Sequence, residues 1–153
     1  MDQRRAWDER YAVEHYVFGE DPNAFLRSCA GHLRPGMRAL VLADGEGRSG
    51  VWLAEQQLAV ASTDISRRGQ EKARQLAERR GVHVEFELVN LADWDWPSEA
   101  FDVVVAIFIQ FAGAELRART FERLKRSCLG GWCCSVVRKS VKTYRSRTSG
   151  EAN

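Results

Sequence analysis

Apolar residues recur at two different spacings along this chain, and the spacing changes from one segment to the next. Residues 3–14 interleave charges with aromatics and predict a short helix. A turn follows at Phe18-Gly19-Glu20. Asp21 then predicts an N-cap with Pro22 at the first helical position, and Phe25, Leu26, Cys29, Ala30 and Leu33 recur at helical spacing. Arg34-Pro35-Gly36 breaks that helix. Residues 37–42 are a short apolar run ending in a glycine turn, the pattern of a strand buried on both faces.

The same alternation continues. A helix is predicted over residues 48–57 and a strand over 58–63. A helix then runs from a Ser66 cap to Arg80, where Gly81 ends it. Residues 82–89 alternate as a third strand. Residues 90–100 form a loop carrying Trp94, Trp96 and Pro97. Residues 101–109 make the most apolar strand of all. A charged amphipathic helix follows over residues 114–127, then a turn at Gly130-Gly131 and a last apolar run, 132–137. This order predicts an α/β fold: a mostly parallel sheet with helices on both faces. The glycine turn after the first strand and Asp64 after the second then share the carboxyl edge of the sheet, where open α/β sheets bind ligands.

Composition narrows the choice without naming a function. With 153 residues, 44% hydrophobic and 29% charged, the chain suits one globular domain. A net charge of +2 is too small to point to nucleic acid or a membrane surface, no apolar run is long enough to span a bilayer, and no secretory signal opens the chain. The expected place is the cytoplasm, the expected partner a small-molecule substrate, and the oligomeric state is open. Cys29, Cys128, Cys133 and Cys134 form no CxxC pair, and His15, His32 and His83 are scattered, so no metal site is expected.

Gly45-Glu46-Gly47-Arg48-Ser49-Gly50 lies between a strand and a helix. Glycine there turns sharply and lets a ligand approach the backbone. Asp64 ends the next strand, where one carboxylate can accept hydrogen bonds from both hydroxyls of a ribose. The spacing also matches the dinucleotide fingerprint, so a nicotinamide oxidoreductase is a rival. Glu46 in a turn meant for a pyrophosphate, and the long helical preface before the first strand, count against it.

The segment Val41-Leu42-Ala43-Asp44-Gly45-Glu46-Gly47-Arg48-Ser49 resembles the cofactor loop of class I, Rossmann-like, S-adenosylmethionine-dependent methyltransferases, in the branch related to tellurite-resistance and thiopurine methyltransferases. Thr63-Asp64-Ile65-Ser66 resembles that branch's second motif. Trp7-Asp8-Glu9-Arg10-Tyr11, with Tyr16, Phe18-Gly19 and Pro22-Asn23-Ala24-Phe25-Leu26, resembles its N-terminal preface. The resemblance implies that Ala43, Gly45 and Gly47 line the donor's amino-acid and ribose portion through the backbone, that Asp64 holds the ribose diol and that Ile65 packs on the adenine. Asn90 and Leu91 stand where the family has an acidic residue and a neighbour reading the adenine edge. Ile107 belongs to the floor near the methyl group, Phe18 and Gly19 to a lid, and Gln110 is a polar candidate for substrate contact. Trp7, Tyr11, Tyr16 and Phe18 are equally well explained as the core face of a docking helix.

The implied function is methyl transfer to a small-molecule acceptor, with a thiol or a chalcogen anion or oxyanion as the candidate. Such transfer rests on alignment and exclusion of water. No residue stands out as a catalytic base, and a soft anion would need none. The family usually continues past its Gly-Gly turn with strands that finish the sheet. Here residues 138–153 turn basic, with Arg138, Lys139, Lys142, Arg145 and Arg147 against Glu151. The expected organisation is therefore a helical preface and lid (1–36), a donor-binding core (37–137) and a basic disordered tail (138–153), with the sheet incomplete. A domain that binds the donor but turns over poorly is the alternative reading.

Overall fold

The computed structural model describes residues 2–98, 100–107, 113–137 and 140–145, with side chains as far as residue 127. Its elements are α1 (Gln3–Arg10), α2 (Ala24–Ser28), a 3-10 turn (Ala30–His32), β1 (Arg38–Leu42), α3 (Arg48–Glu55), β2 (Ala59–Asp64), α4 (Arg67–Arg80), β3 (Glu85–Leu88), β4 (Phe101–Ile107), α5 (Ala114–Ser127), β5 (Cys128–Val137) and β6 (Ser140–Arg145). The sheet order is β3-β2-β1-β4-β5-β6. The first five strands run parallel, and β6 pairs antiparallel with β5.

The central strands bury both faces, as their unbroken apolar runs predict. On one face Ala39, Val41, Val103, Val105 and Ile107 join Val51 and Leu53 of α3 and Leu76 of α4. On the other, Leu40, Leu42, Val104 and Ala106 pack with Leu124 of α5. The period of two sends successive side chains to opposite faces, so one strand feeds both cores. From β1 the chain adds β2 and β3 on one side and β4 on the other. The reversal of strand order therefore falls between β1 and β4, where the loops beyond the strand ends diverge and leave a crevice.

Several local expectations are corrected. The second helix starts at Ala24, not at Pro22: Asn23 is its cap, its Oδ1 accepting the Phe25 N–H at 2.9 Å. The first helix stops at Arg10, short of residue 14, and is capped by Asp2, which accepts the Arg4 N–H. Gly130-Gly131 is not a turn. It lies within β5, where Phe101 pairs with Cys128 but Val103 pairs with Trp132, so extra residues bulge from the strand at the glycines. Ser140–Arg145, within the segment expected to be disordered, forms β6.

The α4 helix is legible at both ends. Ser66 Oγ accepts the Gly69 N–H at 3.0 Å, and Gly81 closes the helix with φ +67°. What the pattern did not reveal is a second cap from far away. Asp8 of α1 accepts the Ser66 hydroxyl at 2.6 Å and the Arg68 N–H at 3.2 Å. The preface is thereby fastened to the start of α4. Among the described residues no helix is long and apolar enough to cross a membrane.

Candidate functional site

A cavity opens at the carboxyl ends of the parallel strands. Its floor comes from Val41 and Leu42 of β1, Asp64 of β2, Val89 and Asn90 after β3, and Ile107 of β4. Trp7, Tyr11 and Phe18 of the preface form one wall, and Leu116 and Thr120 of α5 another.

Asp64 is buried at the end of β2. Its Oδ2 accepts the Gly45 N–H and its Oδ1 the Ser66 N–H, both at 2.8 Å. Each oxygen keeps a second acceptor position, so two hydroxyl donors can still be received. Burial raises the Asp64 carboxyl above the ordinary carboxylate range, opposed by the Ser66 and Gly45 amides.

A second carboxylate, Asp44, also lines the cavity. Ser62 donates its hydroxyl to Asp44 at 2.7 Å, and Gly50 donates its N–H at 3.1 Å. Burial pushes the Asp44 carboxyl up to about 7, with the Ser62 hydrogen bond pulling the other way and the charge of Asp64 adding to the rise. Arg48, also on the lining, has its pKa lowered by burial and raised in part by Asp44.

The glycine loop is shaped by what presses on it. A Cβ at Gly45, whose φ is +58°, would stand 2.5 Å from the Tyr11 hydroxyl. The Tyr11 ring edge also approaches Gly69 of α4, where a Cβ would stand 3.0 Å away. Tyr11 therefore occupies a slot made by two absent methyl groups, stacked on Trp7 with ring centroids 5.6 Å apart. Burial pushes its phenol pKa up, with Asp64 and Glu46 adding to the rise. Gly47, at φ +87°, has a different reason: a Cβ there would stand 2.5 Å from Ala73 Cβ. It lets α3 and α4 pack closely.

Of the residues expected at the site, Ala43, Asp64, Ile65, Asn90, Leu91, Ile107 and Phe18 line the cavity. Gly45 stands beside it, joined to Asp64 by its N–H. Gly47 is turned to helix packing, and Gly19 borders open space at φ +80°. Gln110 lies outside the described residues. Asn90 Oδ1 accepts the Ala92 N–H at 3.0 Å, which fixes the amide within its own turn. Trp94 and Trp96 lie outside the lining and cover the α5-side core, their indole N–H groups donating to Glu87 Oε1 and the Leu91 carbonyl.

The expected placing of Glu46 near the ligand is corrected. Glu46 is 4% exposed and its carboxylate turns to the preface, pairing with Lys72 Nζ at 2.5 Å and accepting the Val17 N–H at 2.8 Å. It therefore gives no ground for rejecting a pyrophosphate ligand. Asp44, Arg48, Leu116 and Thr120 also line the cavity, beyond the residues that the motifs point to. Asp44 carried a usable signal, since a carboxylate between a buried strand and the first glycine must be desolvated near any ligand in that turn.

The strand order and the crevice at the ends of the parallel strands are those of the class I, Rossmann-like, S-adenosylmethionine-dependent methyltransferase fold. The methyltransferase domain family matches residues 39–131. The chain belongs to that family. It is 30% identical over 126 residues to a phosphatidylethanolamine N-methyltransferase of Cereibacter sphaeroides, covering 80% of this chain and 61% of that protein. This chain thus spans less than two thirds of its curated relative. A Geobacter sulfurreducens S-adenosylmethionine-dependent methyltransferase in complex with S-adenosyl-L-homocysteine superposes with a TM-score of 0.66 at 22% identity, over 88% of this chain and 55% of that one. A TehB-like methyltransferase of Corynebacterium glutamicum does so at 0.63 and 19%, over 86% and 68%.

The donor's chemistry fits the residues present. Asp64 keeps acceptor positions that a diol could fill, Ile65, Val89 and Leu91 are apolar residues of the same lining that a purine could pack on, and Asp44 is a desolvated carboxyl whose ionised form a cationic group would favour.

Proposed function

We propose that this chain transfers a methyl group from S-adenosylmethionine to a small soft anion, of the thiol or chalcogen type. The observation that carries the donor half is the meeting of Asp44 and Asp64 in one cavity at the ends of adjacent strands. Asp64 would receive the ribose hydroxyls. Asp44 would face the cationic amino-acid end, and the Asn90 side chain with Leu91 would border the adenine. When bound, the donor would supply a methyl carbon activated by its sulfonium, open to attack by an acceptor lone pair with the thioether sulfur leaving on the C–S bond pair.

The chain's own contribution is binding, alignment and exclusion of water. Trp7, Tyr11 and Phe18 would close one side, Ile107 the floor and Leu116 the far wall. The acceptor half of the proposal rests on charge. Arg48 lines the cavity beside Asp44 and Asp64, and the Arg10 guanidinium lies 5.0 Å from the ring centroid of Phe18, itself a lining residue; these two cations would favour an anion on the Phe18 side. Tyr11, its phenol held protonated by burial, is a poor base at neutral pH. An acceptor that arrives ionised asks for none.

A second reading, methylation of an amine, is favoured by the relative named as a phosphatidylethanolamine N-methyltransferase. Calorimetry with S-adenosylmethionine, its demethylated product and NAD tests the donor. Binding of the first two without NAD is expected, and binding of NAD alone would overturn it. A radiolabelled methyl-transfer screen over thiols, chalcogen oxyanions and small amines tests the acceptor. Labelling confined to amines would replace the soft-anion proposal. Donor binding with no labelled product would mark a domain that binds without turnover.

A further inference from the structure

The preface crosses the cavity rim as a strap, residues 13–18, and its attachments converge on one buried ion pair. Lys72 Nζ of α4 donates to the Val13 carbonyl at 3.0 Å and to the His15 carbonyl at 2.7 Å. The Tyr16 hydroxyl donates to the Lys72 carbonyl at 2.8 Å. Glu46 receives the next two amides, Val17 at 2.8 Å and Phe18 at 3.4 Å, and pairs with Lys72 at 2.5 Å. Arg48 Nη1 then donates to the Phe18 carbonyl at 3.2 Å. Phe18, the last residue of the strap, lines the cavity while 43% exposed.

Glu46 sits between two structures that a ligand would touch. On one side is the glycine loop, where neighbouring Gly45 donates to Asp64. On the other is Phe18, gripped through its own amide and that of Val17. A charged pair this deeply buried is costly to break by removing one partner, because the other charge is left desolvated. Phe18 therefore cannot swing out without breaking hydrogen bonds to Glu46 of the loop.

We infer that Glu46 is a positioning residue: with Lys72 it latches the strap to the donor loop, holds Phe18 over the cavity, and so sets how fast a bound nucleoside leaves. This rests on the donor proposed above. The latch has a readout of its own, amide hydrogen exchange at Val17 and Phe18, which needs no ligand.

The test compares the wild-type protein with Glu46→Gln, Lys72→Met, the double variant and Phe18→Ala. Exchange is followed by residue, and dissociation of S-adenosylhomocysteine by stopped flow. Glu46→Gln and Lys72→Met should each speed exchange at Val17 and Phe18 by about tenfold or more, with Gly45 and Ser66 amides little changed. Both should speed dissociation by about tenfold. The double variant, which buries no lone charge, should recover melting temperature relative to Lys72→Met while keeping fast dissociation. Phe18→Ala should speed dissociation and leave Val17 exchange as in wild type. Wild-type exchange and dissociation in the latch variants would overturn the inference, as would equal loosening of strap and loop amides. If the single variants do not fold, the double variant and Phe18→Ala decide it by the same two rates. Failure of the wild-type protein to bind S-adenosylhomocysteine would overturn the donor and with it the link to ligand release, while exchange still decides whether the latch exists.

Discussion

Ser62, one residue before the last two of β2, donates its hydroxyl to Asp44 at 2.7 Å and so ties the second strand to the loop leaving the first. Ser62 is 1% exposed, and the carboxyl it supports is desolvated enough to titrate near 7. The bond positions a carboxylate at the cavity, where Arg48 also feels its charge. The site thus holds a group whose ionisation depends on what binds.

The first prediction concerns pH. The Asp44 pKa is raised in the folded state, so the folded protein holds a proton that the unfolded chain releases. That contribution is fully present below about pH 4 and is lost as pH rises through about 7. Asp64 is shifted in the same direction. Without ligand, the wild-type melting temperature should fall between pH 5 and pH 8, and Asp44→Asn should flatten the fall. Parallel melting curves for the two proteins would contradict this.

Ligand affinity should run the opposite way. A cationic donor favours ionised Asp44, so S-adenosylmethionine should bind more tightly at pH 8 than at pH 6, and its uncharged-sulfur product should show a weaker pH dependence. Calorimetry in buffers of different ionisation heat would also register proton release with S-adenosylmethionine. Asp44→Asn should abolish the difference between the two ligands.

Asp64→Asn keeps the shape of the side chain and one acceptor oxygen but loses the charge. Affinity for S-adenosylhomocysteine should drop by about tenfold to a hundredfold, the worth of hydrogen bonds to a charged acceptor. Unchanged affinity in a folded variant would remove Asp64 from the ligand site.

Gly45→Ala places a methyl group against the Tyr11 hydroxyl in a backbone conformation that disfavours it. The expected loss is about 1–3 kcal/mol of stability. Adding Tyr11→Phe removes the clashing oxygen and should restore part of that loss. Denaturant unfolding of the two single variants and the double gives the coupling, and strict additivity would show that no such contact exists.

Asp8→Ala should cost about 1 kcal/mol, the usual worth of a helix cap, and should release α1 from α4. Quenching of Trp7 fluorescence by acrylamide reads the release. A variant as stable and as protected as wild type would show that the long-range cap contributes nothing.

The fold was legible where one element's own pattern decides it. The apolar runs of β1 and β4 mark strands buried on both faces, and Ser66 with Gly81 bounds α4. The glycine turn and Asp64 marked the crevice, because a strand-to-helix turn needs those residue types locally. The cap of α2 was misplaced because Asp21 and Asn23 both suit the role and only the chain's path chooses between them. Gly130-Gly131 suggests a turn because glycine signals a break in regularity, and a bulge inside β5 answers the same signal.

Local chemistry, then, marked the order of strands and helices as far as β5, the glycine turn and Asp64, while β6 fell in a segment whose basic composition pointed to disorder. Those depend on periodicity and on residues adjacent in the chain. Only the tertiary structure decided that Glu46 faces Lys72 and the strap, that Tyr11 fits between Gly45 and Gly69, and that Ser62 supports Asp44. Each of these joins residues far apart in sequence, and the direction of a buried side chain is set by which distant partner can satisfy it.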